Sequence, residues 1–418
     1  MFITNRYSAF SIQNAVVALL LAVLLLGQLC RIPLSGDRLT LGGVDVFAFV
    51  AVLLGLGLVV YQKSIRLKPL IWPLVLLLVF LIFQSLFSFH HNSLQEFVTG
   101  SSYLVRWLSI ALAGLAIGFL LLDPKKILKC FFVIAGLLAL LGFGQLLVMP
   151  DLKELAKFGW DAHVGRLVAT WFDPNYLGGF FAFAAALAFG ISTYVGRQNK
   201  RKLLALVLLL GVATVLTFSR SAYLAFGISF FIVGIFRARK VLLAGAVILL
   251  LGVMLVPRAL DRIEGAVTLD KTAQMRFESW TAISKIIAEN WQFGVGTNFL
   301  PKELLRVNYV QNINQPNASG SDSSLLNILA MMGIVGGLLV LVFLFLLLQA
   351  SWKLFQKNNS FASGFGLGFF AATIGLLVHS NFVNSLFYPL IMIVFWIMIG
   401  VLMRLMPKKK PKQKILRV

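Results

Sequence analysis

The stretch Lys202–Phe236 reads KLLALVLLLGVATVLTFSRSAYLAFGISFFIVGIF, and its division decides the topology of everything after it. A bilayer crossing needs about 20 apolar residues, so this block is long for one span and short for two. Ser219-Arg220-Ser221 stands at its middle. Read as one long broken helix, it moves every later loop to the other side of the membrane. Read as two short spans around a turn, it keeps them. Working outward, apolar blocks of helical length lie near 12–30, 42–61, 70–89, 102–122, 128–149 and 175–195. They continue at 202–218, 221–236, 241–257, 324–350, 363–379 and 386–403, twelve in all.

Charge chooses between the two divisions. With twelve spans, the basic groups at Arg6, Lys63–Lys68, Lys125–Lys129, Arg197–Lys202, Arg237–Lys240, Lys353–Lys357 and Arg404–Arg417 share one side. The positive-inside rule makes that side cytoplasmic. These groups hold twenty-three of the 37 Lys and Arg residues, with Asp123 the single acid among them. Elsewhere fourteen basic residues face fourteen acidic ones. The block therefore turns at Arg220 on the outer side, both termini are expected in the cytoplasm, and 404–418 reads as a basic cytoplasmic tail.

Composition agrees. The 418 residues are 59% apolar and 12% charged, with a mean hydropathy of +0.91. Soluble domains run near 45–50% apolar and about 25% charged, so a soluble globular protein and a disordered chain are both excluded. The formal charge of +22 is a topology signal and gives no support for a nucleic-acid partner. Leu29, before Cys30, is too large for a lipoprotein cleavage site, so the first span reads as retained. Cys30 and Cys130 fall at opposite ends of their spans, too far apart for a disulfide. The expected fold is therefore all-α and polytopic, a multi-pass protein embedded in the lipid bilayer.

Three outer segments are large enough to carry chemistry: 90–101, 150–174 and 258–323. The last, between spans nine and ten, is the large extracytoplasmic loop. Near 272–290 it shows an amphipathic pattern in which Ala273, Phe277, Trp280, Ser284 and Ile287 recur every three or four residues, with Arg276 at the stripe's edge. This predicts a helix resting on the membrane surface. Gly294-Val295-Gly296 breaks the pattern, and the polar run to Ser324 reads as a loop re-entering the next span. Asp173-Pro174 reads as a helix start, cap followed by first-turn proline.

Arg220 is the leading candidate. A charge between short hydrophobic helices is costly unless paired or hydrated, and the helix starting near Ser221 would aim free amides at the same place. A guanidinium fork with a helix N-terminus suits a phosphate group. Arg166 and Arg106 are further outward-side arginines that would add positive charge. His90, His91, His163 and His379 are scattered and define no metal site. No nucleotide-binding motif occurs, so no cofactor is expected. An outward-facing enzyme without one needs a substrate already activated, and in a membrane that points to a lipid-linked phosphate or diphosphate.

Several stretches together resemble the bacterial O-antigen ligase and O-antigen polymerase superfamily. They are Thr170-Trp171-Phe172-Asp173-Pro174-Asn175, Phe218-Ser219-Arg220-Ser221-Ala222, Arg276 with Trp280, Gly294-Val295-Gly296, and Ser321-Asp322-Ser323-Ser324-Leu325 leading to Met332-Gly333-Ile334 and Gly336. The resemblance implies transfer of a glycan from undecaprenyl diphosphate to an acceptor outside the bacterial cytoplasmic (inner) membrane. It implies that Arg220 and Arg276 hold the diphosphate. Ligases typically carry a His-Asn pair where this chain has Asp322 and Ser323, so the resemblance leans toward polymerase-type members. Polymerisation of repeat units is the main expectation, with Arg220, Arg276 and Asp322 catalytic and Asp322 accepting the proton. Trp280, Ser323, His379, Arg166 and Arg106 are the expected substrate contacts. Ligase-type transfer to a lipid or protein acceptor is the first alternative and a membrane transporter the second. A flippase and a chain-length regulator are the expected protein partners.

Overall fold

The structure, a computed structural model, describes residues 4–35, 39–62, 70–89, 93–243, 245, 271–297, 299–312, 318, 320–357 and 360–406. Most of the expected ninth span at 241–257, the loop start at 258–270, the basic turn at 63–69, His90, His91 and the basic tail beyond Met406 lie outside the described residues.

In chain order the helices are α1 (Thr4–Leu26), α2 (Gly43–Gln62), α3 (Ile71–Phe89), α4 (Leu94–Leu115), α5 (Pro124–Val148), α6 (Pro174–Ser192) and α7 (Arg197–Leu216). They continue as α8 (Arg220–Arg237), α9 (Lys271–Glu289), α10 (Leu300–Arg306), α11 (Ser324–Phe355), α12 (Phe361–His379) and α13 (Pro389–Leu405). Among the described residues, seven helices are long and apolar enough to cross a membrane, and shorter apolar helices lie at Gly43–Gly57, Ile71–Leu86 and Pro389–Leu405. The protein is an all-α, multi-spanning helical bundle. One element was not foreseen: a small antiparallel hairpin of β1 (Arg31–Ser35) and β2 (Leu39–Gly42), with Ile32 opposite Leu41.

Helix α6 is the axis of the bundle. Asp173 caps it, accepting from the amides of Asn175 (2.7 Å) and Tyr176 (3.1 Å), and Pro174 fills the first position, where a missing N–H is harmless. From Leu177 to Ser192 every residue is buried, as expected of a helix apolar on all sides. Its run of glycine and alanine lets α7, α8 and α12 approach closely. At the decisive stretch, α7 ends at Leu216 and α8 begins at Arg220. Both pack on α6, and the Tyr223 hydroxyl donates to the Val215 carbonyl across the turn at 2.6 Å. The chain doubles back there.

Helix α11 has 32 residues, about 48 Å at 1.5 Å per residue, which is more than one hydrocarbon thickness. It breaks at Gly333, where φ is 61° and ψ −168°. The part after the break is about 33 Å long, one crossing. The first ten residues form an extension that packs with α9 and α10 in a separate small core of Ala282, Ile283, Ile286, Leu300, Leu304, Val310 and Ala330.

The loop helix occurs where expected but is rotated. Its buried face is Ser279, Ala282, Ile283 and Ile286, whereas Phe277 is 51% exposed and Ser284 is exposed. The expected stripe through Ala273, Phe277 and Ser284 assumed lipid as the only apolar partner. The actual partners are α10 and the N-terminal end of α11, which take the alanine–isoleucine face.

Candidate functional site: a charged cluster at the outer helix ends

Two helix starts build the site, and each uses the same local device. Phe172 and Phe218 adopt left-handed backbone (φ 56° and 50°) immediately before the N-cap residues Asp173 and Ser219. Such conformations cost of order 1–3 kcal/mol in a non-glycine residue and persist only where the surroundings impose them. Arg166 braces the turn at Phe218 and reaches the first turn of α6. Its Nε donates to the Thr217 carbonyl (2.8 Å), and its Nη2 donates to the Phe218 carbonyl (3.3 Å) and the Asn175 side chain (3.2 Å). The Arg220 turn is thereby tied to the first turn of α6. On the other side, Trp171 is fully buried and its indole donates to the Leu24 carbonyl at the end of α1 (2.9 Å).

Arg276 and Asp322, forty-six residues apart, meet at 3.3 Å. The arginine side chain is 17% exposed and the carboxylate 61%. Asp322 is placed for this pair because the capping task falls on its neighbour. Ser323 is the N-cap of α11 and accepts from the Leu326 amide at 3.3 Å. Ser321 and Asn327 brace the same turn through three mutual hydrogen bonds between 2.9 and 3.2 Å, and the Ser321 hydroxyl lies 3.2 Å from the Ser323 carbonyl.

His379, at the end of α12, is fully buried. Its Nε2 lies 3.1 Å from the Asn175 carbonyl and its Nδ1 2.7 Å from the Ser385 hydroxyl. A carbonyl only accepts, so Nε2 carries the proton and Nδ1 accepts from Ser385. Both ring nitrogens are used within the protein, which makes His379 a strut between α12, α6 and the 380–388 turn. The fit is close: a Cβ on Gly179 would stand 2.7 Å from the ring, and one on Gly178 2.8 Å from Ala222 beside the Arg220 turn. Arg106 also has a partner of its own. It makes a bidentate pair with Asp45 at 2.6 and 2.8 Å, joining α4 to the start of α2.

Sequence reasoning passed over several residues around this volume. Tyr176 and Tyr388 stack at 3.9 Å with rings 4° from parallel, and Gln28 donates to the Tyr388 hydroxyl at 2.7 Å. Asp161, Asp173 and Asp322 all bear electrostatically on Tyr176, and Arg276 bears on His379. Desolvation pushes the Asp173 carboxyl up to about 6, against the amides of Tyr176 and Asn175 that pull it down. Burial, with the nearby Arg166 charge, holds His163 down at about 4 and therefore neutral at pH 7. The signal for Tyr176 was its place in the first turn after Asp173-Pro174. Nothing local marked Tyr388.

A backbone joint fixes the large loop to this site. Val295 and Gly296 donate to the carbonyls of Ala330 (2.9 Å) and Met331 (3.0 Å), just before the break in α11. Ile334 and Val335, just after it, donate to Trp291 (2.8 Å) and Gln292 (3.2 Å). The break thus frees backbone groups that the loop satisfies. Gln84, a buried residue of α3, donates from its amide to both Phe293 and Met331 carbonyls. Gly294 (φ 69°) and Gly333 (φ 61°) are required by contact as well as by φ, since a Cβ on either would stand under 2.5 Å from the other segment's backbone.

Residues 204–341, about a third of the chain, match the family model described as O-antigen ligase. The matched segment contains Arg220, Arg276, Asp322 and both halves of the backbone joint. The match supports membership in the O-antigen ligase and polymerase superfamily, whose activity is glycan transfer by a glycosyltransferase-like enzyme. The multi-pass helical architecture is consistent with a bacterial inner-membrane protein of that family. Comparison with curated proteins gives no match.

Proposed function

We propose that the protein transfers a glycan from undecaprenyl diphosphate to a hydroxyl acceptor on the outer face of the membrane. The observation that carries this reading is the Arg276–Asp322 pair, which joins the loop helix to the start of α11 within the segment matching the O-antigen ligase family. The topology that goes with it has twelve spans and both termini in the cytoplasm. It puts the 258–323 loop outside between spans nine and ten, and the basic 404–418 tail inside.

The acceptor oxygen attacks the anomeric carbon, and the bond from that carbon to the diphosphate oxygen breaks with inversion. Arg220 and Arg276 hold the departing diphosphate, a role served by donors fixed in advance. Arg166 and His379 act through the protein: Arg166 holds the Arg220 turn and His379 braces the start of α6. Asp322 receives the acceptor's proton. In the resting state its contact with Arg276 keeps both in place, and the diphosphate draws the guanidinium away as it binds. The arginines supply the charge neutralisation, so no cofactor enters the reaction.

The family match favours ligase-type transfer of a finished glycan to a lipid or protein acceptor over repeat-unit polymerisation. Polymerisation keeps one observation in its favour, Asp322-Ser323 standing where ligases carry His-Asn. The two are separated by deleting the gene: loss of a ligase leaves long chains on the carrier, and loss of a polymerase leaves single repeats.

The site is tested by measuring transfer of lipid-linked glycan in membranes carrying Arg220→Lys, Arg276→Ala or Asp322→Asn at equal expression. Each is expected to lose 10²-fold or more, on the order of what one oxyanion-type donor or a positioned base contributes. Near-normal transfer by Arg220→Lys would remove its forked contact from the mechanism, and by Asp322→Asn would remove the base.

A further inference from the structure

We propose that Trp280 and Phe382 form the subsite for the acceptor sugar, an inference that rests on the glycosyl-transfer reading. Trp280 stands one helical turn after Arg276 on α9. Its ring lies 6.2 Å from that of Phe382 at 40°, and Phe277 meets its edge at 5.6 Å and 71°. Both Trp280 and Phe382 are partly exposed. Phe382 belongs to the turn after α12, which is fastened beside Asp322 because the Ser324 amide donates to the Ser380 carbonyl at 2.8 Å and Ser324 Oγ donates to Asn384 at 3.1 Å. The aromatic pair therefore comes from two separate elements, α9 and the turn after α12, each tied to the start of α11 beside Asp322.

Two tilted rings beside an exposed carboxylate fit a pyranose. Its apolar C–H face lies on aromatic carbon, while its hydroxyl edge needs polar partners. Asp322 offers an acceptor. The Trp280 indole N–H has no hydrogen-bond partner among the described residues, and a buried indole N–H is ordinarily paired. A polyprenyl chain would leave the exposed Asp322 carboxylate unused, which assigns the shelf to the sugar. Between the two sugars, Asp322 must touch the acceptor hydroxyl that it deprotonates, so the ring on its aromatic side is the acceptor's. The donor's diphosphate is held by the arginines.

The experiment uses the full chain in nanodiscs and two readouts. The first is calorimetric binding of two free oligosaccharides from the same cells, one released by mild acid from the lipid-linked pool (a polymerase's acceptor) and one released from the acceptor glycolipid (a ligase's). The second is transfer with acceptor and lipid-linked donor varied separately. For Trp280→Ala and Phe382→Leu we expect oligosaccharide binding and acceptor KM to worsen by about tenfold, in line with the worth of an aromatic contact, and donor KM to stay unchanged. Trp280→Phe, which keeps a ring and loses the N–H, should fall between them and wild type. Unchanged binding in these variants, or a rise in donor KM, overturns the subsite. If Trp280→Ala does not accumulate, Trp280→Phe and Phe382→Leu decide. Wild-type protein that binds the oligosaccharide through Trp280 and transfers nothing would refute glycosyl transfer and leave a sugar site. Normal transfer indifferent to both rings would do the reverse.

Discussion

At the scale of single residues, His163 and Asp173 pull the response to acid in opposite directions. His163 is held neutral, with a folded value of about 4 against its usual 6.5. Between those values the unfolded chain binds a proton that the folded chain refuses, so stability present above pH 6.5 is lost as the pH falls toward 4. Asp173 sits at about 6 in the fold against 3.8 ordinarily. There the folded chain binds the extra proton, and stability rises as the pH falls from 6 to 3.8. The windows overlap and the two slopes partly cancel. Asp173→Asn keeps a capping side chain and should expose the His163 slope, giving a steeper loss on acidification than wild type. His163→Gln should give a shallower one. Thermal unfolding in detergent from pH 7.5 to 4.5 reads both; three parallel profiles would mean that neither group is desolvated in the fold.

At the scale of elements, the joint between the loop and broken α11 governs where Arg276 and Asp322 stand. Gly333→Ala would force a side chain into left-handed backbone with its Cβ 2.3 Å from the Gln292 carbonyl, and should prevent the joint from closing. Gln84→Leu removes the side-chain donor shared by the Phe293 and Met331 carbonyls and should cost about 1–3 kcal/mol. Limited proteolysis of the 290–299 segment reports both, with faster cutting expected in each variant; wild-type resistance would show that the joint does not hold the loop. This level also divides what the sequence disclosed from what it hid. Apolar length, Asp173-Pro174 and the charged Ser219-Arg220-Ser221 interruption mark helix ends through local chemistry, and the observed ends fall close by. The face of α9 could not be read, because an amphipathic pattern names an apolar side without naming its partner. The Arg276–Asp322 contact, the Tyr176–Tyr388 stack and the joint unite residues far apart in sequence. The joint is made largely of backbone groups that every residue carries. Gly294 and Gly333 were visible as motif letters, and only their mutual contact explains them.

For the whole molecule, the charge distribution predicts sidedness that can be measured directly. In a chain with Cys30 and Cys130 replaced, a cysteine at Phe158, which is 76% exposed, should react with an impermeant maleimide on intact cells. One at Ser360, also exposed, should react only after permeabilisation. Labelling of both from outside would mean an even number of crossings between them and would undo the turn at Arg220. The backbone joint has a wider consequence. It anchors the loop on the α11 side through main-chain groups, and Arg306 bridges Glu289 and Glu303 to tie α9 to α10. The exposed side chains between these fixed points, unlike Leu300 and Leu304 in the small core, are therefore open to replacement without loss of the anchorage. Grafting this stretch from one glycan-transferring relative to another becomes a practical route to new acceptor preference, with the arginine end left untouched.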